Sequence, residues 1–291
     1  MMAAVQLQEQ FLRAFHRARP GVTARAFARG RVDGGGSSYD AVVRAVDGVG
    51  GRVLDLGCGD GRLLALLAAR GHAPAALCGI DLSEGELEAA RARGGAGTFL
   101  QARAQALPFV TGSFAAVVSH LAFTLVAEPE AVAAEVARVL APGGRFVAVV
   151  GGGPRGDDAF AGALDLLVPL ARAAAVVPRL GEVRARSDAG LAALFAPARG
   201  WASLSIVELP VDLSGEPDEV WESVASSAYE ADGVPAAAMA AARRQFLARC
   251  GRWRRADGRI SCTMATRLVQ TTRSGRPDAS ARPHAPGTER E

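Results

Sequence analysis

Neither lysine nor asparagine occurs in the 291 residues, so all 33 basic side chains are arginine, set against 30 acids. A P-loop, a protein-kinase nucleotide site and a Schiff-base enzyme each require a lysine amine at a fixed place, and those classes are excluded. The wealth of Ala, Gly, Arg and Val beside these gaps is the bias of a coding sequence rich in G and C. Cysteine is also sparse. Cys58, Cys78, Cys250 and Cys262 form no CxxC pair and have no His at ligand spacing, so neither a disulfide framework nor a zinc site is expected, and no metal is assigned. A reducing, cytoplasmic setting follows. No apolar run approaches the roughly 20 residues needed to cross a bilayer, so no membrane partner is expected. The first residues lack the pattern of a secretory signal. The arginine-rich stretch 1–30 also fits an organelle transit peptide, although composition bias accounts for it more simply.

What is present is ordinary for a globular protein: 49% apolar residues, 22% charged and a net charge of +3. The arginines are scattered among acids, so no nucleic-acid partner is implied. Helices are expected at 5–18 and 38–47. From Arg52 short apolar runs alternate with amphipathic stretches: strands at 52–56, 76–80, 97–100, 114–119 and 145–151, helices at 60–70, 84–92 and 129–140. This rhythm predicts an α/β fold with a mostly parallel sheet and helices on both faces. Pro142-Gly143-Gly144 reads as the turn that ends the helix Glu130 to Leu140. Beyond it, helices are expected at 157–176, 187–195, 217–231 and 235–250, with strands at 203–211 and 259–270. The tail 271–291, which contains His284, lacks apolar residues and is expected to be disordered.

The segment Val53-Leu54-Asp55-Leu56-Gly57-Cys58-Gly59-Asp60-Gly61-Arg62-Leu63 is an apolar strand that breaks into Gly-x-Gly-x-Gly and enters a helix. Glycines at alternate positions let a ligand lie against the main chain without a Cβ clash, and open α/β sheets bind ligands at the carboxyl ends of their strands. A dinucleotide site would place its third glycine one residue later, where Arg62 stands. Asp55 would face a cationic or amine-bearing ligand better than a phosphate. One strand later, Asp81 in Gly79-Ile80-Asp81-Leu82-Ser83 is suited to both hydroxyls of a ribose, while Ser83 and Glu86 fit a capping box that starts the next helix.

On these residues the sequence resembles the class I S-adenosylmethionine-dependent methyltransferases, in the branch of the ubiquinone and menaquinone enzymes. VLDLGCGDGRL and GIDLS are similar to the first two motifs of that family, ALPFVTGSFAAVVSHLAF to the segment through the fourth strand, and VLAPGGRFVAVV to the turn before the fifth. The resemblance covers 52–151 and, more loosely, 187–270. It implies a Rossmann-like sheet of seven strands, the last antiparallel, and S-adenosyl-L-methionine as cofactor. The implied cofactor residues are Asp55, Gly57, Cys58, Gly59, Gly61, Asp81, Leu82, Ala104 and Ser119. Two positions depart from the family. Arg103 stands where an acid often accepts the adenine amino hydrogens, which an arginine cannot do, and this leaves the backbone near Ala104, or Gln105, to read the base. Ala115 replaces a frequent Asp.

For the acceptor side, His120 at the end of the fourth strand is the candidate base, with a packing role as its alternative. Tyr39 and His16 are candidates to close over the site from an N-terminal helical lid segment, 1–47. The methyltransferase core would span 48–211 and 256–270, and a helical cap, 212–255, would hold Trp221, Tyr229, Phe246 and Trp253. Few polar groups stand out there, so the expected partner is an apolar or aromatic small molecule, methylated on O, N or C, in the manner of secondary metabolism. A binding protein that keeps the fold without methylating, and a nicotinamide enzyme, are the competing readings. Oligomeric state is not legible.

Overall fold

The computed structural model describes residues 2–174 and 177–275; the expected disordered tail beyond 275, His284 included, lies outside them. The chain opens with α1 (Met2–Ala18), α2 (Val22–Ala26) and α3 (Ser38–Ala45). The core follows as β1 (Val53–Leu56), α4 (Arg62–Ala69), β2 (Leu77–Asp81), α5 (Glu84–Ala92), β3 (Thr98–Gln101), β4 (Phe114–His120), α6 (Pro129–Val139) and β5 (Leu140–Pro154). Then come α7 (Ala159–Ala174), α8 (Asp188–Leu194), β6 (Trp201–Glu208), β7 (Val211–Asp212), α9 (Pro217–Ser227), α10 (Ala236–Arg249) and β8 (Thr263–Arg273).

The strands form one sheet in the order β3-β2-β1-β4-β5-β8-β6, with the two-residue β7 pairing β8 to one side. β1 to β5 run parallel and β8 lies antiparallel between β5 and β6. All four residues of β1 and most of β4 are buried, as expected for parallel strands covered on both faces. One face packs α3 and α4, with Leu63, Leu64 and Leu67 against Val53, Val118 and Val147. The other packs α6 and α8, with Val132, Val136 and Leu191 against Leu54, Val117 and Phe146. Each such side chain taken from water contributes about 1.5–3 kcal/mol. Successive strands are laid outward in opposite directions from β1, so the crevice between the ends of β1 and β4 is the switch point at which such sheets bind ligands.

Four expectations need correction. Pro142-Gly143-Gly144 is a shift of register inside β5 rather than the turn before it: Leu140 already pairs Phe114 and pairing resumes at Arg145. β8 runs on through Thr271 and Thr272, because β5 and β6 offer partners on both sides and override their polar composition. The strand expected at 203–211 starts at Trp201 and is broken at Leu209-Pro210 into β6 and β7. The segment 212–255, expected as a separate helical cap, does not pack on its own: α7 contributes Ala159, Ala163 and Leu167 to a third apolar cluster with Trp221, Phe246 and Trp253.

Candidate functional site

The glycine turn is clasped to the neighbouring strand. The N–H groups of Gly57 and Cys58 both donate to the Ile80 carbonyl at 2.9 Å, and Gly59 N–H donates to Asp81 Oδ2 at 2.9 Å. The other carboxylate oxygen of Asp81 accepts from Ser83 N–H at 2.9 Å. Asp81 is thus rigidly presented at the end of β2, with lone pairs left for a ligand. Gly57, Gly59 and Gly61 all have positive φ, at 72°, 50° and 77°. At Gly57 the backbone passes so close to the segment after β4 that an added Cβ would lie 2.3 Å from Ala122 Cβ.

Asp55 is 1% exposed and neither of its carboxylate oxygens has a hydrogen-bond partner. Burial, then the nearby Asp81 and Asp60, raise its pKa well above the ordinary carboxylate range, making it a much weaker acid. A buried carboxylate without a donor costs stability unless a ligand or a proton supplies one. It lines the same cavity as Asp81, so an ammonium brought in by a ligand would relieve it.

At the end of β4, His120 shares a 2.9 Å hydrogen bond between its Nε2 and Ser38 Oγ, and its ring stacks on Tyr39 at a centroid distance of 3.6 Å. Its Nδ1 has no partner. Burial, with a smaller push from Arg62, lowers its pKa to about 3. An imidazole so weakly basic is neutral at physiological pH and poorly matched to the work of a general base. Burial also raises the Tyr39 hydroxyl above its ordinary range, so it stays protonated. The next residue, Leu121, sits at φ 61°, in a left-handed conformation that costs a branched side chain of the order of 1–3 kcal/mol and that clusters at ligand sites.

The cavity measures about 340 Å³ and is lined in part by Gln8, Glu9, Leu12 and His16 of α1 and by Tyr229. Glu86 Oε1 accepts from His16 Nδ1–H at 2.9 Å, and the other His16 nitrogen meets the Tyr229 hydroxyl at 3.1 Å. Glu86 Oε2 also accepts from Gly21 N–H at 2.7 Å. The capping box expected from Ser83 and Glu86 is therefore not formed: Ser83 Oγ has no partner, because Glu86 reaches up to the lid instead of back along its own helix. Phe15 packs on Tyr229 at 4.7 Å and Arg19 pairs with Asp232 at 2.7 Å. Gln8 anchors the start of the lid on the Leu125 carbonyl.

Asp55, Gly57, Cys58, Gly59, Asp81, Leu82, Ala104, His120, Tyr39 and His16 all line this cavity. Gly61 and Ser119 stand behind its wall. A Cβ at Gly61 would press on Phe99 and Ala90 at 3.1–3.2 Å, and Ser119 Oγ donates to the Leu56 carbonyl at 2.9 Å. Of the four aromatics in the cap, Tyr229 reaches the cavity while Trp221, Phe246 and Trp253 form the cap's own core. Sequence reasoning missed Glu9 and misassigned Glu86; both are wall residues whose partners lie far along the chain. Phe27, Leu121, Phe160, Leu164, Val224 and Met264 supply an apolar part of the cavity wall.

Residues 54–148 match the family described as Methyltransferase domain. The chain is 43% identical over 112 residues to a demethylmenaquinone methyltransferase of Thermus thermophilus, an alignment that covers 37% of this chain and 50% of that protein. It is 39% identical over 111 residues to a fatty-acid O-methyltransferase of Mycolicibacterium smegmatis, covering 38% and 40% respectively. The chain thus spans half or less of the length of these curated relatives. Among solved structures, the YcgJ protein of Bacillus subtilis superposes with a TM-score of 0.54 at 22% identity, over 81% of this chain and 98% of that one. Phosphoethanolamine N-methyltransferase 2 of Haemonchus contortus, in complex with S-adenosyl-L-methionine, gives 0.51 at 15% identity, over 82% and 52%. At those identities the likeness is one of fold.

Proposed function

We propose that this chain is a class I S-adenosylmethionine-dependent methyltransferase, in the branch of the ubiquinone and menaquinone enzymes that its residues 54–148 resemble, and that it methylates a small apolar or aromatic molecule. When bound, S-adenosyl-L-methionine supplies an electrophilic methyl group on a sulfonium centre. The observation that carries the reading is the pair of acids in one cavity: Asp81, held by Gly59 and Ser83, suits a ribose, and the unpartnered Asp55 suits an ammonium. Both are chemical features of that cofactor, so the residues present fit it. Leu82 and the backbone at Ala104 would flank the adenine, and Gly57, Cys58 and Gly59 would carry the main chain beneath the rest.

The protein's own contribution to transfer is placement and exclusion of water. α1 and Tyr229 line the cavity, and its apolar wall from α2, α7 and α9 would take the acceptor. His120, neutral and fixed by Ser38 and Tyr39, is assigned to orienting the acceptor through Nδ1 rather than to removing a proton.

Calorimetric titration with S-adenosylhomocysteine tests the cofactor, and micromolar binding is expected. Turnover of labelled donor would then be followed on a panel of quinols and long-chain fatty acids, the chemistries named for two relatives. Binding without turnover on any apolar acceptor favours the alternative of a non-methylating cofactor binder; no binding sinks the reading altogether.

A further inference from the structure

Arg103 occupies the place, just after β3, from which an acid would be expected to meet the adenine, and the structure shows where that arginine goes. Its Nε and Nη2 both donate to Glu9 Oε1 on α1, at 2.9 and 2.7 Å. The Glu9 side chain is only 12% exposed and lines the cavity beside Leu82, Ala102 and Ala104. Since both guanidinium contacts fall on one oxygen, Oε2 is left with acceptor capacity.

Six carboxylates line the cavity: Glu9, Asp55, Asp60, Asp81, Glu86 and Glu230. Asp81 is committed to Gly59 and Ser83, Glu86 to His16 and Gly21, and Asp60 lies 2.9 Å from the Arg93 guanidinium. Asp55 belongs to the end of β1. Among the described residues, Glu9 is the one of the six that is bonded to the segment following β3. Gln105, the other side chain in that segment able to accept, directs its amide nitrogen to the Ala127 carbonyl at 3.1 Å.

We propose that Glu9, carried on the lid helix and steered by Arg103, accepts the hydrogens of the exocyclic amino group of the cofactor's adenine. The acid has been moved from the sheet to the lid, and the arginine in its old place has become the anchor of the new one. The cofactor is then a staple between core and lid: its ribose is held by Asp81 on the sheet and its base by Glu9 on α1. The proposal rests on the reading of the cavity as an S-adenosylmethionine site.

The test compares two ligands by calorimetry, S-adenosylhomocysteine and its analogue lacking the 6-amino group, on the full chain and on Glu9→Ala and Gln105→Ala. A hydrogen bond to a charged group makes the amino group worth about 10-fold or more in affinity. The unmodified protein should show that preference, Gln105→Ala should keep it, and Glu9→Ala should reduce it to near unity. A generally loosened lid weakens both ligands alike and leaves the ratio intact, so a preserved ratio in Glu9→Ala overturns the proposal. So does a ratio erased by Gln105→Ala instead. If the unmodified protein binds neither ligand, the cofactor reading itself falls, and this inference with it.

Discussion

Substituting Gly57 by Ala should damage the fold and the site together, in an amount that can be partitioned. Two terms add. A non-glycine residue held at φ 72° costs about 1–2 kcal/mol. The new Cβ, 2.3 Å from Ala122 Cβ, overpacks a wall that cannot yield without moving strained Leu121, at a further cost of about 1–3 kcal/mol. The sum is about 2–5 kcal/mol, a fall in Tm of roughly 4–20 °C at about 2–4 °C per kcal/mol. The terms separate in the double variant, because the same Cβ lies 3.7 Å from Ala122 Cα, an ordinary contact. Gly57→Ala with Ala122→Gly should therefore regain the overpacking term and keep the backbone one. Ala122→Gly alone should cost no more than about 1 kcal/mol. Unfolding of the four proteins without ligand closes the cycle, with an expected coupling of about 1–3 kcal/mol. A Gly57→Ala protein within about 0.5 kcal/mol of the parent, or strictly additive effects, would refute the argument that close approach to Ala122 is what demands glycine here.

Three further outcomes are expected. The folded state holds the Asp55 proton more tightly than the unfolded state does, so its stabilising effect is present at low pH and is lost as pH climbs through the folded-state value; each tenfold loss of acidity costs about 1.4 kcal/mol. Asp55→Asn should accordingly be more stable than the parent at pH 8 without ligand, yet bind S-adenosylhomocysteine more weakly, and a less stable variant at pH 8 contradicts this. His120 shows the opposite trend: with a folded pKa of about 3 against an ordinary 6.5, it lowers stability as pH falls from about 6.5 to 3, so His120→Gln should flatten the acid limb of a stability profile. Phe246→Ala, at a site with no exposure, should cost about 3–5 kcal/mol and speed proteolysis within α9 and α10 before the sheet is cut; cleavage in the sheet first would show that the cap has no core of its own.

The parts legible from sequence were those whose cause is local. The strand, three-glycine turn and helix at 53–69 are written in consecutive residues, and Asp81 follows the same pattern one strand later. What escaped depended on distant partners. Ser83 and Glu86 have capping-box spacing, but that spacing carries no notice that a histidine 70 positions earlier will bond Glu86. Thr271 and Thr272 look like tail until two flanking strands are in place. Pro142-Gly143-Gly144 carries turn chemistry whether the chain reverses or merely bulges. Membership of α7 in the cap is a matter of which cluster its apolar face meets, and periodicity reports the face without the partner. His120 falls at the strand end as expected, but its proton affinity is set by the depth of its burial and by Arg62, neither of which is written beside it in the chain.

The bonds that seal the lid, His16 to Tyr229 and Arg19 to Asp232, each join residues 213 positions apart. During synthesis on a ribosome, α1 is made long before the residues that cover Phe11 and Phe15. For most of that interval this aromatic face has no native partner. The parallel strands β1 to β5 and the glycine turn are written in residues 53–154, but Tyr229 is made long afterwards, and β8, the strand between β5 and β6, later still. A chain truncated before Tyr229 would therefore lose both the residues that meet α1 over the cavity and β8, the strand that joins β6 to the sheet.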